Sequence, residues 1–332
     1  MIIIQIAGGL GNQLQQYALY RKFSSLGAEA KLDLWWFEQF SKTDIDDKAK
    51  GNIKEEPRSK EHDGKHEAAV TNRQCELDFF EHLPYESCME QEKTALIGSQ
   101  GLTGKLRRKL LPKTVHWYKE SQMYDPELLN YRTMYLSGYF ACEKYYADIL
   151  PEIRKLIRFP EIEDDQKREA NREMLQKIKE YNAVSVHIRR GDYLQPENAA
   201  MFGNICTEEY YESALKYMRG HMDHPHFFLF SDDVAYVREH YRGEEYTIVD
   251  INHGKDSFYD MQLMSQCRGN ICANSTFSFW GARLNARTDK IMIRPTIQKN
   301  SQEFDEVQMK DLWKDWVFID PQGQVYDDIT KK

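Results

Sequence analysis

The sequence predicts an α/β protein built from two Rossmann-like domains facing each other across a cleft. Three features support this. A strand, a glycine-rich turn, a helix and a second strand open the chain. From Tyr181 onward, short apolar runs alternate regularly with helical stretches. Between these regions, the Phe159-Pro160 step and the charged run Glu161 to Glu169 mark a boundary, dividing the 332 residues into 1–160 and 161–332. Each part has the size of an ordinary domain, roughly 150 residues.

In the amino-terminal part, Ile2 to Ile6 reads as a buried strand that runs into Gly8-Gly9-Leu10-Gly11-Asn12-Gln13. A helical pattern follows through Leu14, Tyr17, Ala18, Arg21 and Leu26 and ends near Gly27, and a strand over Glu29 to Leu34 contains Asp33. This is a βαβ start. Gly9, Gly11, Asn12 and Gln13 are candidate binding positions, because glycines let the backbone approach a ligand where free helix N–H groups favour anions. Residues from about 41 to 120 show little periodicity. Their charged stretches, Lys42 to Lys65 and Glu86 to Lys93, and the basic run Lys105 to Lys109 read as solvated helices and loops. Thr133 to Phe140 reads as a strand leading into a helix at Glu143 to Tyr146.

In the carboxyl-terminal part, strands are expected at Ala183–His187, His226–Phe230, Tyr246–Val249, Gly269–Ala273 and Lys290–Ile293. Helices are expected at Glu208–Met218, Ser257–Ser265 and Phe277–Ala286. Alternation of this length implies a parallel, doubly wound sheet.

Composition narrows the function. A formal net charge of −8 argues against nucleic acid as a partner, since binding a phosphate backbone needs a basic surface. No apolar run approaches the roughly 18 residues of a membrane span. The apolar start lacks a basic flank and a cleavage site, so it reads as a strand and not a signal peptide. A cytoplasmic protein is expected, touching membranes only through a lipid-linked substrate. The 6 cysteines form no C-x-x-C pair, which points to reduced thiols. The 20 tyrosines suit sugar or base stacking.

The candidate chemistry gathers after the first strand of the second part, in His187-Ile188-Arg189-Arg190-Gly191-Asp192-Tyr193. Arginine is a fixed cation whose planar fork matches phosphate oxygens. Adjacent arginines alternate sides on an extended backbone, so one can face a ligand while the other braces the site. Asp232 and Asp233 close the next strand, where carboxylates can orient an arginine, bind a hydroxyl, chelate a metal or cap a helix. Asp260 is either a surface acid or an acceptor for the paired N–H groups of guanine. Asn274, Ser275, Thr276 and Ser278 follow a strand and open a helix, either as a second anion cradle or as ordinary caps. Asp44-Ile45-Asp46 has the D-x-D pattern of metal-dependent transferases, but it lies in a polar loop with no apolar strand before it, and no metal site is read there.

Together, Gly8 to Ala18, Gly138 to Tyr146, His187 to Tyr193 and Ser275 to Ser278 resemble, in order, segments of glycosyltransferase family 11, the α-1,2-fucosyltransferases. The arginine motif, H-x-R-R-x-D, is shared with α-1,6-fucosyltransferases. The resemblance implies a GT-B fold, with an acceptor-binding first domain and a donor-binding second. It also implies GDP-β-L-fucose as donor, inversion at the anomeric carbon, and neither metal nor cofactor. Transfer would be to the 2-hydroxyl of a terminal β-galactoside on lactose, an O-antigen repeat or another glycan. It implies that Arg189 or Arg190 holds the β-phosphate, that His187 and Asp232 belong to the nucleotide site, and that Ser278 and its neighbours line the diphosphate. Asp260 falls where the α-1,6 relatives read guanine. For the base, Asp192 lies near the arginines, and Glu197 aligns with the catalytic glutamate of the α-1,6 enzymes. Alternatives are an α-1,6 or other fucosyltransferase, a non-catalytic glycan-binding protein, or an NAD-dependent oxidoreductase. For the last, Gly9-Leu10-Gly11 and Asp33 imitate a dinucleotide fingerprint, which fails at Leu14.

Overall fold

The computed structural model describes residues 1–38, 74–98 and 116–327. Asp44-Ile45-Asp46, most of the charged 41–120 region and the basic run 105–109 lie outside these residues. The chain divides into two compact units, with the break between Arg158 and Phe159.

The first unit contains β1 (Ile2–Gln5), α1 (Leu10–Ser25), β2 (Ala30–Asp33), α2 (Glu90–Ile97), β3 (Trp117–Lys119), β4 (Met134–Ser137) and α3 (Leu150–Leu156). Its strands pair in parallel in the order β2-β1-β4-β3. Ile2, Ile3 and Ile4 are all buried, as expected of a central parallel strand covered on both faces. α1 is buried nearly all round, including Gln13, Gln15 and Gln16. These amides are tolerated inside because each binds loop backbone. The helix expected at Glu143 to Tyr146 is instead a pair of 3-10 turns, Glu143–Tyr145 and Ala147–Ile149. Pro151 has no N–H to give an earlier turn, so α3 starts only with Pro151 in its first turn.

The second unit begins with α4 (Asp165–Glu180), β5 (Asn182–Ile188), α5 (Pro196–Phe202), α6 (Glu208–His221) and β6 (Pro225–Ser231). It continues with α7 (Val234–His240), β7 (Tyr246–Val249), α8 (Tyr259–Ser265), β8 (Gly269–Ile271) and α9 (Thr276–Leu284). It ends with β9 (Ile291–Pro295), α10 (Glu306–Leu312), β10 (Trp316–Ile319) and β11 (Val325–Tyr326). The 7-stranded sheet has the order β11-β10-β9-β8-β5-β6-β7, and every pair is parallel except β10 with β11.

Alternate side chains leave the sheet on opposite faces. Val184, Val186, Phe227 and Leu229 pack against Tyr210, Ala214, Leu215 and Met218 of α6. Ala183, Phe228 and Phe230 pack against Ile178 of α4 and Leu263 and Met264 of α8. Helices thus cover both faces, the doubly wound arrangement. The charged run read as a boundary becomes helical at Asp165, where the Asp164 carboxylate caps α4 by accepting from the N–H groups of Gln166 and Lys167. Counted from β5, strands β5 to β10 lie in the order 3-2-1-4-5-6 of dinucleotide-binding sheets. The order reverses between β5 and β8. Sheets of this kind bind ligands beyond the carboxyl ends of the strands at such a reversal.

Candidate functional site

Strand register builds the site. Ile188 pairs with Ser231 of β6, and Val186 with Ile271 of β8. Arg189-Arg190 therefore leaves the sheet beside Asp232-Asp233 on one side and beside Ala273-Asn274 on the other. Arg189 is held by two carboxylates, Nη2 to Asp192 Oδ1 at 2.8 Å and Nη1 to Asp232 Oδ2 at 2.9 Å. The other oxygen of Asp232 accepts the Arg190 backbone N–H at 2.9 Å, so one carboxylate ties strand end to loop. Asp232 approaches so closely that a Cβ on Gly191 would lie 2.5 Å from its Oδ2. Any larger residue there would have to displace the Asp232 carboxylate.

Arg190 is anchored differently. Its Nε donates to Asp233 Oδ2 at 3.2 Å, and its Cζ lies 3.6 Å from the centre of the Tyr236 ring. Asp233 caps α7 by accepting the Tyr236 N–H at 3.0 Å. That bond first, and Arg190 second, hold its carboxyl below the usual range. These contacts place Arg190 over the end of β6, away from the reversal. Arg189, tied to Asp232 at the end of β6, also has its Cζ 5.7 Å from the ring centre of Tyr193, whose hydroxyl donates to the Asn274 carbonyl at 3.2 Å. The arginine loop is thereby joined to the loop after β8.

His187 is buried in β5, with its ring 5.9 Å from that of Phe277 in the first turn of α9. Burial first, and the Arg189 charge second, push its pKa down to about 4, so the imidazole is neutral at pH 7. Its Nδ1 makes no hydrogen bond among the described residues. Asn274 is committed inward: its amide donates to Phe202 O at 3.1 Å and Gln298 O at 3.2 Å. Ser278 is also buried, and its hydroxyl donates to Ser275 O at 3.0 Å, closing the first turn of α9. Ser275 occupies the N-cap position without a side-chain capping bond. It and Thr276 are partly exposed at the helix start, where first-turn N–H groups favour an anion. Of the four residues, Asn274 and Ser278 set the loop, while Ser275 and Thr276 face outward.

Asp260 opens α8. Its Oδ1 accepts from Asn252 Nδ2 at 2.8 Å, and Asn252 exchanges a pair of amide hydrogen bonds with Asn171 of α4. Desolvation first, then the Asp250 charge, lift its pKa to about 7, partly offset by the Asn252 bond. Glu197 falls on α5, immediately after the arginine loop.

In the first unit, Gly8 has φ +81° and Gly9 is the N-cap of α1. Gln13 pins the turn: its amide donates to Gly8 O and Gln74 O, and it accepts the Glu76 N–H at 2.7 Å. Buried and fully bonded, Gln13 shapes this turn, while Gly9 and Asn12 are partly exposed at it. Asp33, the acid of the dinucleotide imitation, is also buried. It accepts from Tyr135 Oη at 2.6 Å and pairs with Lys93 Nζ at 2.9 Å. A ribose hydroxyl would have to displace both partners.

Among the described residues, no group of three or more His, Cys, Asp or Glu is placed to hold a metal ion, and no helix is long and apolar enough to cross a membrane. All six cysteines are thiols.

The family model for glycosyl transferase family 11 matches residues 116–320, more than half of the chain and every element of the arginine site. The chain belongs to glycosyl transferase family 11. Membership makes it a glycosyltransferase and sets the oxidoreductase reading aside, in keeping with the buried Asp33. An alpha-1,2-colitosyltransferase of Escherichia coli is 27% identical over 302 residues, 89% of this chain and 91% of that protein. The O-antigen biosynthesis glycosyltransferase WbnK of Escherichia coli is 40% identical over 115 residues, but the match spans only 34% of this chain and 38% of that protein. Galactoside alpha-(1,2)-fucosyltransferase 2 of Bos taurus is 31% identical over 103 residues, 30% of each chain.

The sequence reading missed three residues that shape the arginine loop: Gly191, Tyr236 and Tyr193. Gly191 lies inside the quoted motif, but its need for glycine depends on Asp232, which is distant in sequence. Tyr236 follows Asp233 by three residues, a helical spacing that marks it as a neighbour of the cap. Tyr193 had no signal for its bond to Asn274.

Proposed function

We propose that the chain transfers L-fucose from GDP-β-L-fucose, with inversion and without a metal ion, to the 2-hydroxyl of a terminal β-galactoside. The observation that carries this reading is the arginine loop and the open amino end of α9 flanking the strand-order reversal, joined by the Tyr193–Asn274 bond. Departure of GDP builds negative charge on a phosphate oxygen. Arg189 and the first-turn N–H groups of α9 would stabilise that charge as it appears, from positions fixed beforehand. Asp192 and Asp232 orient Arg189, and Arg190 braces the loop through Tyr236 and Asp233. Asp260 reads guanine through its ionised carboxylate, and the neutral His187 offers the nucleotide a hydrogen bond without charge. With Asp192 engaged to Arg189, Glu197 is the proposed base for the acceptor hydroxyl.

The two units are proposed to be the halves of a GT-B enzyme, the first taking the acceptor and the second the donor. A cytoplasmic location with a free or lipid-linked acceptor accords with this. Colitose, the 3-deoxy counterpart of fucose, is a second candidate for the transferred sugar, favoured by the length of the colitosyltransferase match. Incubation with each GDP-sugar and a panel of β-galactosides, followed by linkage analysis, tests the reading. An α-1,2-linked fucosyl or colitosyl product supports it and chooses the sugar. Binding of glycans with no transfer from either donor would make the chain a lectin-like protein.

A further inference from the structure

The loop after β4 is held in a costly shape around one exposed aromatic residue. Phe140 has φ +48°, a conformation that bulky L-residues rarely adopt. Such backbone persists only where its surroundings fix it, and it clusters at ligand sites. Here the fixing is unusually complete. One carboxylate, Glu120, accepts consecutive N–H groups, Tyr139 N to Oε2 at 2.7 Å and Phe140 N to Oε1 at 3.0 Å. Buried amides of α1 hold the same loop from below, Gln16 Nε2 to Gly138 O at 2.8 Å and Gln15 Nε2 to Tyr139 O at 3.4 Å. The Phe140 ring is buried, whereas Tyr139 is 51% exposed.

Tyr139 stands at the carboxyl edge of the first sheet. β4 neighbours β1 there, and a Cβ on Gly8 would lie 3.4 Å from Tyr139 Cε1. The tyrosine ring thus lies within van der Waals reach of the Gly8 turn. A packing role would bury the ring. Clamping the backbone on both sides while leaving half the side chain in water suits a contact surface.

We propose that Tyr139 is the sugar-stacking platform of the first unit, contacting the apolar face of a neutral pyranose of the acceptor, with Glu120 as its positioning residue. This rests on the reading of the chain as a transferase acting on a glycan. An aromatic face offers a pyranose dispersion and desolvation without demanding charge, and a loop backbone fixed before binding has little entropy left to lose.

Saturation-transfer NMR with methyl β-galactoside, and separately with GDP-fucose, reads contact without turnover. Tyr139→Ala should weaken the galactoside roughly 3- to 10-fold, the size of a single aromatic contact, and leave GDP-fucose unchanged. Tyr139→Phe should restore galactoside contact. Glu120→Gln, which keeps only one acceptor oxygen for two N–H groups, should weaken the galactoside with little change in GDP-fucose. The subsite is overturned if Tyr139→Ala leaves the galactoside unaffected, if GDP-fucose weakens instead, or if the wild-type chain contacts no pyranoside. Failure of the transfer reading looks different: sugar contact that depends on Tyr139, with no product from any donor.

Discussion

Arg189 and Arg190 are adjacent in sequence yet are held by different surroundings. Arg190 stacks on Tyr236 and binds Asp233 through Nε alone. Lysine at this position loses the planar face and the fork, so Arg190→Lys should cost about 1 kcal/mol of stability and lower Tm by a few degrees. A thermal melt checks this, and an unchanged Tm would remove the bracing role. Asp260, with its pKa near 7, gives a second test. Guanine N–H donors need the ionised carboxylate, so GDP affinity should fall as pH drops through 7, roughly tenfold between pH 8 and pH 6. The sign is that of a raised acid: protonation at lower pH fills the acceptor. Calorimetry on wild type and Asp260→Asn in parallel cancels the titration of the phosphate itself. The variant should bind weakly at both pH values, and an unchanged wild-type profile would free Asp260 from guanine. The arginines and acids at strand ends were legible as chemistry because charged residues after apolar runs stand out. Gln13, Asn274 and Ser278 were not legible as fold-holding residues. Gln13 and Asn274 have partners dozens of residues away, Gln74 O and Phe202 O, while the bond of Ser278 to Ser275 O is local and reads in sequence only as an ordinary cap.

At the scale of elements, the turn between β5 and α5 is tightly constrained. Gly191→Ala would put a methyl 2.5 Å from Asp232 Oδ2, against the carboxylate that holds both the Arg189 side chain and the Arg190 backbone. The expected result is a loss of about 1–3 kcal/mol in stability and a fall in kcat on the order of 10- to 100-fold, because the geometry of the proposed phosphate site shifts. Near-normal turnover in this variant would mean that Asp232 does not position Arg189. Strands β5, β6, β7, β8 and β9 could be read from sequence because each is a short apolar run between polar turns. β10 and β11 could not, since Trp316–Ile319 is brief and closely follows a helix with no glycine or proline to announce it. α4 was hidden for another reason. Its buried positions are only Asn171 and Ile178, so it reads as a charged run until Asp164 is recognised as its cap.

At the scale of the molecule, strand order decides where chemistry can occur. The sheet of the second unit reverses between β5 and β8, and the arginine loop and the start of α9 leave it at that point. Sequence alternation predicted the class of sheet, but strand order follows from pairings between distant segments that periodicity does not encode. The central claim is that this edge holds the diphosphate of the donor through Arg189 and backbone N–H groups, with no ion between. The most direct test is the rate of transfer from GDP-fucose or GDP-colitose, whichever the wild type uses, measured for wild type and Arg189→Lys in excess EDTA. The account predicts undiminished wild-type turnover, and in the variant a fall of kcat on the order of 100-fold with Tm unchanged. Equal kcat in the two proteins, or wild-type activity that returns only with manganese or magnesium, would contradict it.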